Sequence, residues 1–151
     1  MKRLKVLVFA AATGRIGHVF IWGERLLDWG MSIRASRSPA LAALHARKLI
    51  ETLNPDVVVT EELPKSSTNG AKTRLLLAAI ADVALHTRLL DIRAKRLHNF
   101  PNKYDEAAYL ATRFPEIAAW VPKKRRLWEA EPRATVLFEA LALGLCVISD
   151  N

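Results

Sequence analysis

Two glutamates stand where the neighbouring residues give no reason for a charge. Glu139 lies inside the apolar run 134–148, whose composition favours a buried helix. Charged side chains are rarely buried unless they are paired or bind a metal. Glu61 closely follows the β-branched run 57–59, and ligand-binding groups collect at the carboxyl ends of strands in α/β sheets. If the last helix packs over that sheet, Glu139 and Glu61 share a site.

Two carboxylates that lie close together repel each other and therefore need a cation between them. Oxygen ligands favour hard divalent ions, so the pair predicts a Mg²⁺ or Mn²⁺ site. Glu62, the adjacent acid, is the alternative ligand on the strand side. The contrary interpretation of Glu61 and Glu62 is that each simply marks the point where a strand meets solvent.

The composition indicates a soluble globular protein. With 151 residues, 51% of them hydrophobic and 25% charged, residues 1–151 are predicted to form a single domain, which excludes a disordered chain. The 23 basic and 15 acidic residues leave a net charge of +8, which favours an anionic partner such as nucleic acid. A single cysteine, Cys146, excludes an internal disulfide framework and is typical of a reducing compartment such as the cytoplasm.

The N-terminal segment invites two interpretations. A basic start, residues 1–5, precedes the apolar run 6–12, as in a short secretory signal. A turn follows at once, so we predict a first β-strand instead. No apolar run of the sequence is long enough to span a bilayer, and no membrane partner is expected.

The first third of the chain predicts an antiparallel meander. Strand-like segments cover Lys5–Ala10, Ile16–Trp22 and Arg25–Ile33, and only short glycine-containing turns separate them. Such short connections are compatible with antiparallel neighbours and not with parallel ones.

The rest of the chain alternates between helix and strand. A first helix is predicted to open at Ser38 and Pro39 and to end at Asn54, and a strand follows from Val57. The next helix covers Ala71–His86, and a strand covers Thr87–Ile92. A helix over Lys103–Arg113 is stopped by Phe114 and Pro115, and the last helix begins after Glu131 and Pro132. Helix-length crossovers favour parallel pairing of the later strands. The predicted fold is an α/β domain with a mixed sheet, three antiparallel strands followed by two parallel strands, flanked by helices.

The order of elements, the turn segment 10–17, the strand that ends in Glu61 and the helix around Glu139 together resemble RuvC-type Holliday junction resolvases of the ribonuclease H-like superfamily. The resemblance spans nearly the whole chain. It implies a metal-dependent, structure-selective DNA endonuclease (a crossover junction endodeoxyribonuclease) that uses Mg²⁺ or Mn²⁺ in a two-metal site. It also implies a homodimer that acts on branched DNA, especially four-way junctions, and the apolar helix at 71–86 is a plausible interface.

Position 10 departs from that family pattern. The first strand of such enzymes ends in an aspartate that bridges two metal ions, whereas this chain has Ala10, although Gly14 and Gly17 keep the surrounding turn. Where many members carry a further acid one helical turn before Glu139, this chain has Val136 or, on the neighbouring turn, Thr135. We favour an engineered Asp→Ala change over a naturally degenerate, binding-only relative, because both other acids are retained. Either way, alanine at position 10 is expected to impair metal binding and catalysis.

Cationic residues in loops predict the contacts with DNA. The resemblance points to Lys103 as electrostatic support near the scissile phosphate. Contacts with DNA phosphates are expected from Arg15, Lys65, Lys72, Arg74, Arg96, His98, Lys123, Lys124, Arg125 and Arg126. A solvated charged surface is the alternative explanation for each of these residues.

Two other functions stay open on the sequence. One is a non-catalytic protein that binds branched nucleic acid on the same fold. The other is a ribonuclease H-like nuclease that acts on RNA–DNA hybrids. The sequence does not specify a preferred cleavage site.

Overall fold

The computed structural model describes residues 3–63, 70–87, 89–95, 100, 102–122 and 134–149. Within these residues the strands are β1 (Lys5–Ala12), β2 (Arg15–Trp22), β3 (Arg25–Ser32), β4 (Val57–Glu61) and β5 (Leu90–Ala94). They form one sheet with the order β3-β2-β1-β4-β5.

The pairing of the strands confirms the predicted mixed sheet. β1 pairs antiparallel with β2, and β2 pairs antiparallel with β3. β1 and β4 are parallel, as are β4 and β5. Gly14 and Gly23 occupy the two hairpin turns with φ of +79° and +65°, a region that glycine enters without steric cost. The local turn chemistry therefore sets the antiparallel half of the sheet.

Four helices flank the sheet in the described residues. They are α1 (Pro39–Leu53), α2 (Gly70–His86), α3 (Lys103–Arg113) and α4 (Thr135–Ser149). The Ser38 hydroxyl caps α1 by accepting from the backbone N–H of Leu41 at 3.1 Å. The Asn102 side chain caps α3 in the same way, so the predicted bounds of that helix are confirmed. The predicted start of the last helix, at Glu131 and Pro132, lies outside the described residues.

The predicted start of the fifth strand was wrong, because the strand begins later in the chain than expected. Thr87, the expected first residue of that strand, instead ends α2: its Oγ1 donates to the carbonyl oxygens of Val83 and Ala84, at 3.0 and 2.9 Å. The strand begins only at Leu90. Threonine has a high strand propensity, but the helical carbonyls at this end need donors, and Thr87 supplies one.

The two faces of the sheet bury different helices. Side chains alternate along a strand, so Val8 and Ala10 of β1 lie in a core with α3 and α4, whereas Leu7 and Phe9 lie in a second core with α1 and α2. Central strands that are covered on both faces explain the continuous apolar runs in β1 and β4. The alternation also decides which strand residues can face α4.

The apolar N-terminal segment forms β1, as predicted. No helix in the described part of the chain has the length and apolar character that crossing a membrane requires.

Candidate active site

Position 10 and Glu61 are neighbours in the sheet. The parallel register pairs Val8 with Val59 and Phe9 with Thr60, so the next step along both strands sets Ala10 beside Glu61. By strand alternation both residues belong to the face that α4 covers. Ala10 is fully buried, and Glu61, at the end of its strand, is half-buried. The sequence-predicted metal ligand Glu61 therefore adjoins the position where the resemblance implies an aspartate.

Helix α4 crosses the sheet at this point because β2 carries a glycine there. Gly17 lies opposite Ala10 in the antiparallel pair. A Cβ atom built on Gly17 would lie 2.9 Å from Cγ1 of Val136 and 3.2 Å from its carbonyl oxygen. Only glycine permits this approach, so Gly17 lets the first turn of α4 lie on β2 directly beside position 10. Val136 itself is fully buried.

Glu139 follows Val136 by three residues and so lies on the same side of α4. It is the one charged residue of this helix and is half-buried, between the buried residues Phe138 and Ala140. The helix thus presents a carboxylate close to the contact with β2, one turn beyond Val136. A direct pairing of Glu139 with Glu61 stays a prediction.

Other acids near the end of the sheet do not complete the set. Glu62 is exposed, and its backbone N–H donates to the carbonyl of Ala94 at 2.8 Å. Asp91 of β5 pairs with Val58, which puts it on the face of α1 and α2 rather than that of α4. Burial raises the pKa of Asp91, against the lowering influence of Arg93, and its Oδ1 is buried without a hydrogen-bond partner in the described residues. Asp91 is therefore not a third ligand beside Glu61.

The residues present do not fit a two-metal site. Among the described residues, no group of three or more histidine, cysteine, aspartate or glutamate side chains is arranged to hold a metal ion. Alanine at position 10 and valine at position 136 provide no ligand atoms, and a hard divalent cation needs several oxygen ligands. This set of side chains supplies too few oxygen ligands for a metal-dependent step, and the effect of alanine at position 10 stays a prediction.

Lys103 is the first residue of α3, the helix that follows β5 along the chain. Its side chain is half-buried, and its Nζ lies 5.9 Å from the centre of the Tyr104 ring. Helix α3 shares the core of α4 through Ala107 and Leu110. Lys103 thus belongs to the α4 side of the molecule, and its approach to a scissile phosphate stays a prediction.

Three of the predicted DNA-binding residues are described. Arg15 begins β2 beside the end of β1, and its guanidinium donates to the Thr13 carbonyl at 3.2 Å. Lys72 is exposed on the first turn of α2, and Arg74 is half-buried two residues later. The remaining predictions lie outside the described residues: Lys65, Arg96, His98, Lys123, Lys124, Arg125 and Arg126.

A groove at the carboxyl end of β4 joins several of these side chains. It has a volume of about 520 Å³ and runs along α2, with Glu61, Glu62, Arg74, Arg93 and Leu75 among its lining residues. Its mixture of acids, arginines and leucine arises from separate elements, so no single segment of the sequence indicates it. The sequence also did not predict the contact between Gly17 and Val136, although a glycine within a strand can indicate a close approach of another element.

Comparison with solved structures identifies the fold, whereas the comparisons of sequence find no match. No protein-family model matches the chain, and no curated protein sequence matches it. RuvC of Thermus thermophilus superposes with a TM-score of 0.68 at 15% identity, over 94% of this chain and 92% of RuvC.

Two further solved structures give the same result. The fowlpox virus resolvase, solved with Holliday junction DNA, has a TM-score of 0.63 at 13% identity, over 97% of this chain and 98% of that one. The yeast mitochondrial Holliday junction resolvase has a TM-score of 0.55 at 14% identity, over 91% of this chain and 76% of its own. At such identities the likeness shows the fold: a mixed sheet with flanking helices, as in the RuvC-like ribonuclease H fold.

Proposed function

We propose that residues 1–151 form a junction-binding domain of the RuvC type, derived from a metal-dependent endonuclease and silenced by alanine at position 10. The observation that carries the proposal is the likeness to RuvC over more than nine-tenths of both chains, together with Glu61 in register beside position 10. The preferred substrate is a four-way DNA junction. In its present form the chain binds that substrate without cutting it.

The catalytic form of the protein has aspartate at position 10 in this proposal. Glu61 and Glu139 are then the other two metal ligands, and Mg²⁺ or Mn²⁺ is the cofactor. In two-metal hydrolysis the ions activate the attacking water and stabilise the leaving oxygen. The alanine is either an engineered change that traps an intact junction or a natural loss of activity, and both origins predict the same chemistry for this chain.

Positive charge at the site end of the sheet supports DNA as the partner. Arg15 lies within two strand residues of position 10 across the hairpin, and Lys72 and Arg74 begin the helix that follows β4. The net charge of +8 adds a long-range attraction for phosphates. Phosphate contacts of this kind position the duplex arms, while the branched shape provides the selectivity.

Binding measurements test this function on the unaltered chain. We expect tighter binding to a synthetic four-way junction than to linear duplex or to an RNA–DNA hybrid of equal length, measured by fluorescence anisotropy over a series of salt concentrations. Replacing Arg15→Gln is expected to reduce the slope of log K against log salt by about 0.9, the value for one lost phosphate contact.

Arg25→Gln is the matched control for Arg15→Gln. Arg25 also begins a strand and is exposed, but it pairs with Trp22 at the opposite end of the sheet, so its loss should leave the slope unchanged. Equal affinity for junction and duplex would contradict a junction-binding function. A preference for the hybrid would instead favour the ribonuclease H-like alternative.

The outer side of α2 supports a homodimer. Leu75 and Leu85 are 61% and 65% exposed, and with Ala78 and Asp82 they follow one stripe at a spacing of three to four residues. Two exposed leucines on one stripe of a helix, with the charged Asp82 between them, favour contact with another protein surface. Two copies related by two-fold symmetry suit a substrate with paired scissile strands.

Disrupting the stripe is expected to produce a monomer. Leu75→Glu with Leu85→Glu adds charges where the proposed interface is apolar, so sedimentation velocity should show the mass fall from dimer to monomer. The control is Leu4→Glu with Leu27→Glu, which adds the same two charges away from α2, at leucines that are 42% and 44% exposed. A monomeric unaltered chain, or equal dissociation by the control, would exclude this interface.

A further inference from the structure

A small polar notch lies away from the α4 face of the sheet. It has a volume of about 80 Å³ and sits between the end of β3, the 3₁₀ helix Arg34–Arg37 and α1. The polar residues that line it are Ser32, Arg34, His45 and Lys48. A cavity needs roughly 10–15 Å³ to hold one water, so this space admits a group of several heavy atoms.

Donors and positive charge make up the polar part of the notch lining, beside the apolar Ala35, Leu41 and Leu44. Arg34 and Lys48 supply two cations, and no carboxylate lines the notch in the described part of the chain. Ser32 Oγ accepts from the backbone N–H of Ala35 at 3.0 Å, which leaves the hydroxyl hydrogen available to donate. These groups come from three different elements and converge on one space, which is the pattern of an anion site rather than of a solvated charged face.

His45 adds a second and independent observation. Its Nε2 atom is buried and has no hydrogen-bond partner among the described residues. Burial, then the positive charge of His18, then that of Lys48 lower the pKa of His45. The carboxylate of Asp28 lies nearby, but it is engaged by His18, at 2.7 Å between its Oδ2 and the His18 Nε2, and it does not line the notch. A bound anion in the notch would face the positive charge of Lys48 and would offer an acceptor to an imidazole N–H.

We propose that this notch binds a phosphate group. The planar guanidinium of Arg34 and the ammonium of Lys48 suit the oxygens of a tetrahedral oxyanion, and the Ser32 hydroxyl and the His45 imidazole complete the set of donors. A simple halide would use fewer of these diverging donors. The ligand is a phosphodiester of DNA or a free phosphate, since both present the same oxygens.

The place of the notch in the sheet favours DNA as the source of the phosphate. Ser32 pairs with Ile16, which in turn pairs with Ala11, so the notch lies at the same end of the sheet as Ala10 and Glu61. β3 and β4 are three strand spacings apart, about 14 Å at a typical spacing of roughly 4.8 Å. A DNA arm bound over the candidate active site would extend over such a distance. This assignment of the source rests on the proposed function, whereas phosphate binding itself does not.

Titration with inorganic phosphate tests the site without DNA. We expect two-dimensional NMR spectra of the unaltered protein to show saturable shifts at Ser32, Ala35 and the His45 ring. Replacing Arg34→Gln and Lys48→Gln together should weaken this binding at least about tenfold, because two charge-assisted contacts are lost. Both side chains are exposed, so the fold should persist.

The matched control replaces Arg37→Gln and Arg47→Gln. These exposed arginines lie on the same two helices and carry the same total charge, but they do not line the notch. The control should bind phosphate as the unaltered protein does. Absence of saturable shifts in the unaltered protein, or equal weakening in both double variants, would overturn the proposal.

Junction binding by the same variants then shows whether the bound phosphate belongs to DNA or is free phosphate. If the phosphate belongs to DNA, the notch variant should lose about 0.9 from the salt slope for each contacted phosphate, while the control variant keeps the slope of the unaltered protein. If only free phosphate occupies the notch, the titration result stands and both variants bind junctions alike. Failure of all junction binding would refute the proposed function and leave the phosphate titration as a separate result.

Discussion

Cleavage of a synthetic four-way junction in Mg²⁺ or Mn²⁺ is expected to appear when Ala10 is replaced by aspartate. The unaltered chain should bind the junction and leave it intact. Position 10 adjoins Glu61 through the parallel register of β1 and β4, and the first turn of α4 passes beside it. An aspartate there would provide the third carboxylate that the described residues lack.

The expected gain is large. Divalent ions contribute several kcal/mol to stabilising the transition state, and each 1.36 kcal/mol is roughly a tenfold change in rate. We therefore expect Ala10→Asp to raise the cleavage rate at least about 1000-fold over the unaltered chain, measured as paired nicks on denaturing gels.

Two variants control for this result. Ala10→Asn introduces a side chain of nearly the same volume as aspartate but without its charge, so this variant should stay inactive. Ala10→Asp combined with Glu139→Gln should lose most of the cleavage activity that Ala10→Asp alone gains. Thermal unfolding offers a second readout, because a buried carboxylate beside Glu61 is costly without a cation. The Tm of the Ala10→Asp protein should be lower in a chelator and should rise again in Mg²⁺, whereas the Tm of the Ala10→Asn protein should not depend on the metal. An Ala10→Asp protein that binds junctions tightly yet stays inert would favour the binding-only alternative.

Gly17→Ala is expected to destabilise the fold through its contact with α4. The added Cβ would meet Val136 at 2.9 Å, well inside ordinary contact, so the helix must move or the side chain must change rotamer. Overpacking of this kind costs about 1–3 kcal/mol. In a protein of this size each kcal/mol lowers Tm by roughly 2–4 °C.

A double-mutant cycle attributes this cost to the contact with Val136. Val136→Ala removes both contacting methyl groups and on its own should cost on the order of 1.6 kcal/mol from two buried carbons. Combined with Gly17→Ala it should cost less than the sum of the two single changes, by about 0.5–3 kcal/mol in urea unfolding. Part of the penalty should remain, because the carbonyl oxygen of Val136 would also lie at 3.2 Å.

Val83→Ala provides the additive reference. Val83 is buried on α2, in the core on the other face of the sheet, so its effect should add to that of Gly17→Ala within about 0.5 kcal/mol. If the effects of Gly17→Ala and Val136→Ala on the free energy of unfolding are equally additive, then α4 does not approach β2 at Gly17 as the structure has it.

Features that depend on neighbouring residues could be read from the sequence. The turn at Gly14 predicts the first hairpin, because few other residues adopt its positive φ. Asn102 and Pro115 bracket α3, where a side-chain cap and a missing N–H act over only a few residues. Glu61 at the end of β4 follows from a β-branched run that meets a polar residue. Cap, turn and strand chemistry act over short distances, and the sequence displays them directly.

Features that depend on distant residues needed the folded chain. The start of β5 is a local exception that the sequence did not predict, because the nearby carbonyls of Val83 and Ala84 took the hydroxyl of Thr87 as a donor. The residues of the notch, Arg34 and Lys48, are separated in sequence by most of α1, and no local pattern links them.

The candidate active site combines both kinds of information. The sequence by itself determined that Glu61 ends a strand, that Glu139 interrupts an apolar helix and that position 10 holds alanine. Only the tertiary structure decided that position 10 adjoins Glu61 and that Gly17 admits the first turn of α4 beside them. The physical reason is that register and helix placement follow from close packing between elements, which depends on every side chain at the contact rather than on any one segment.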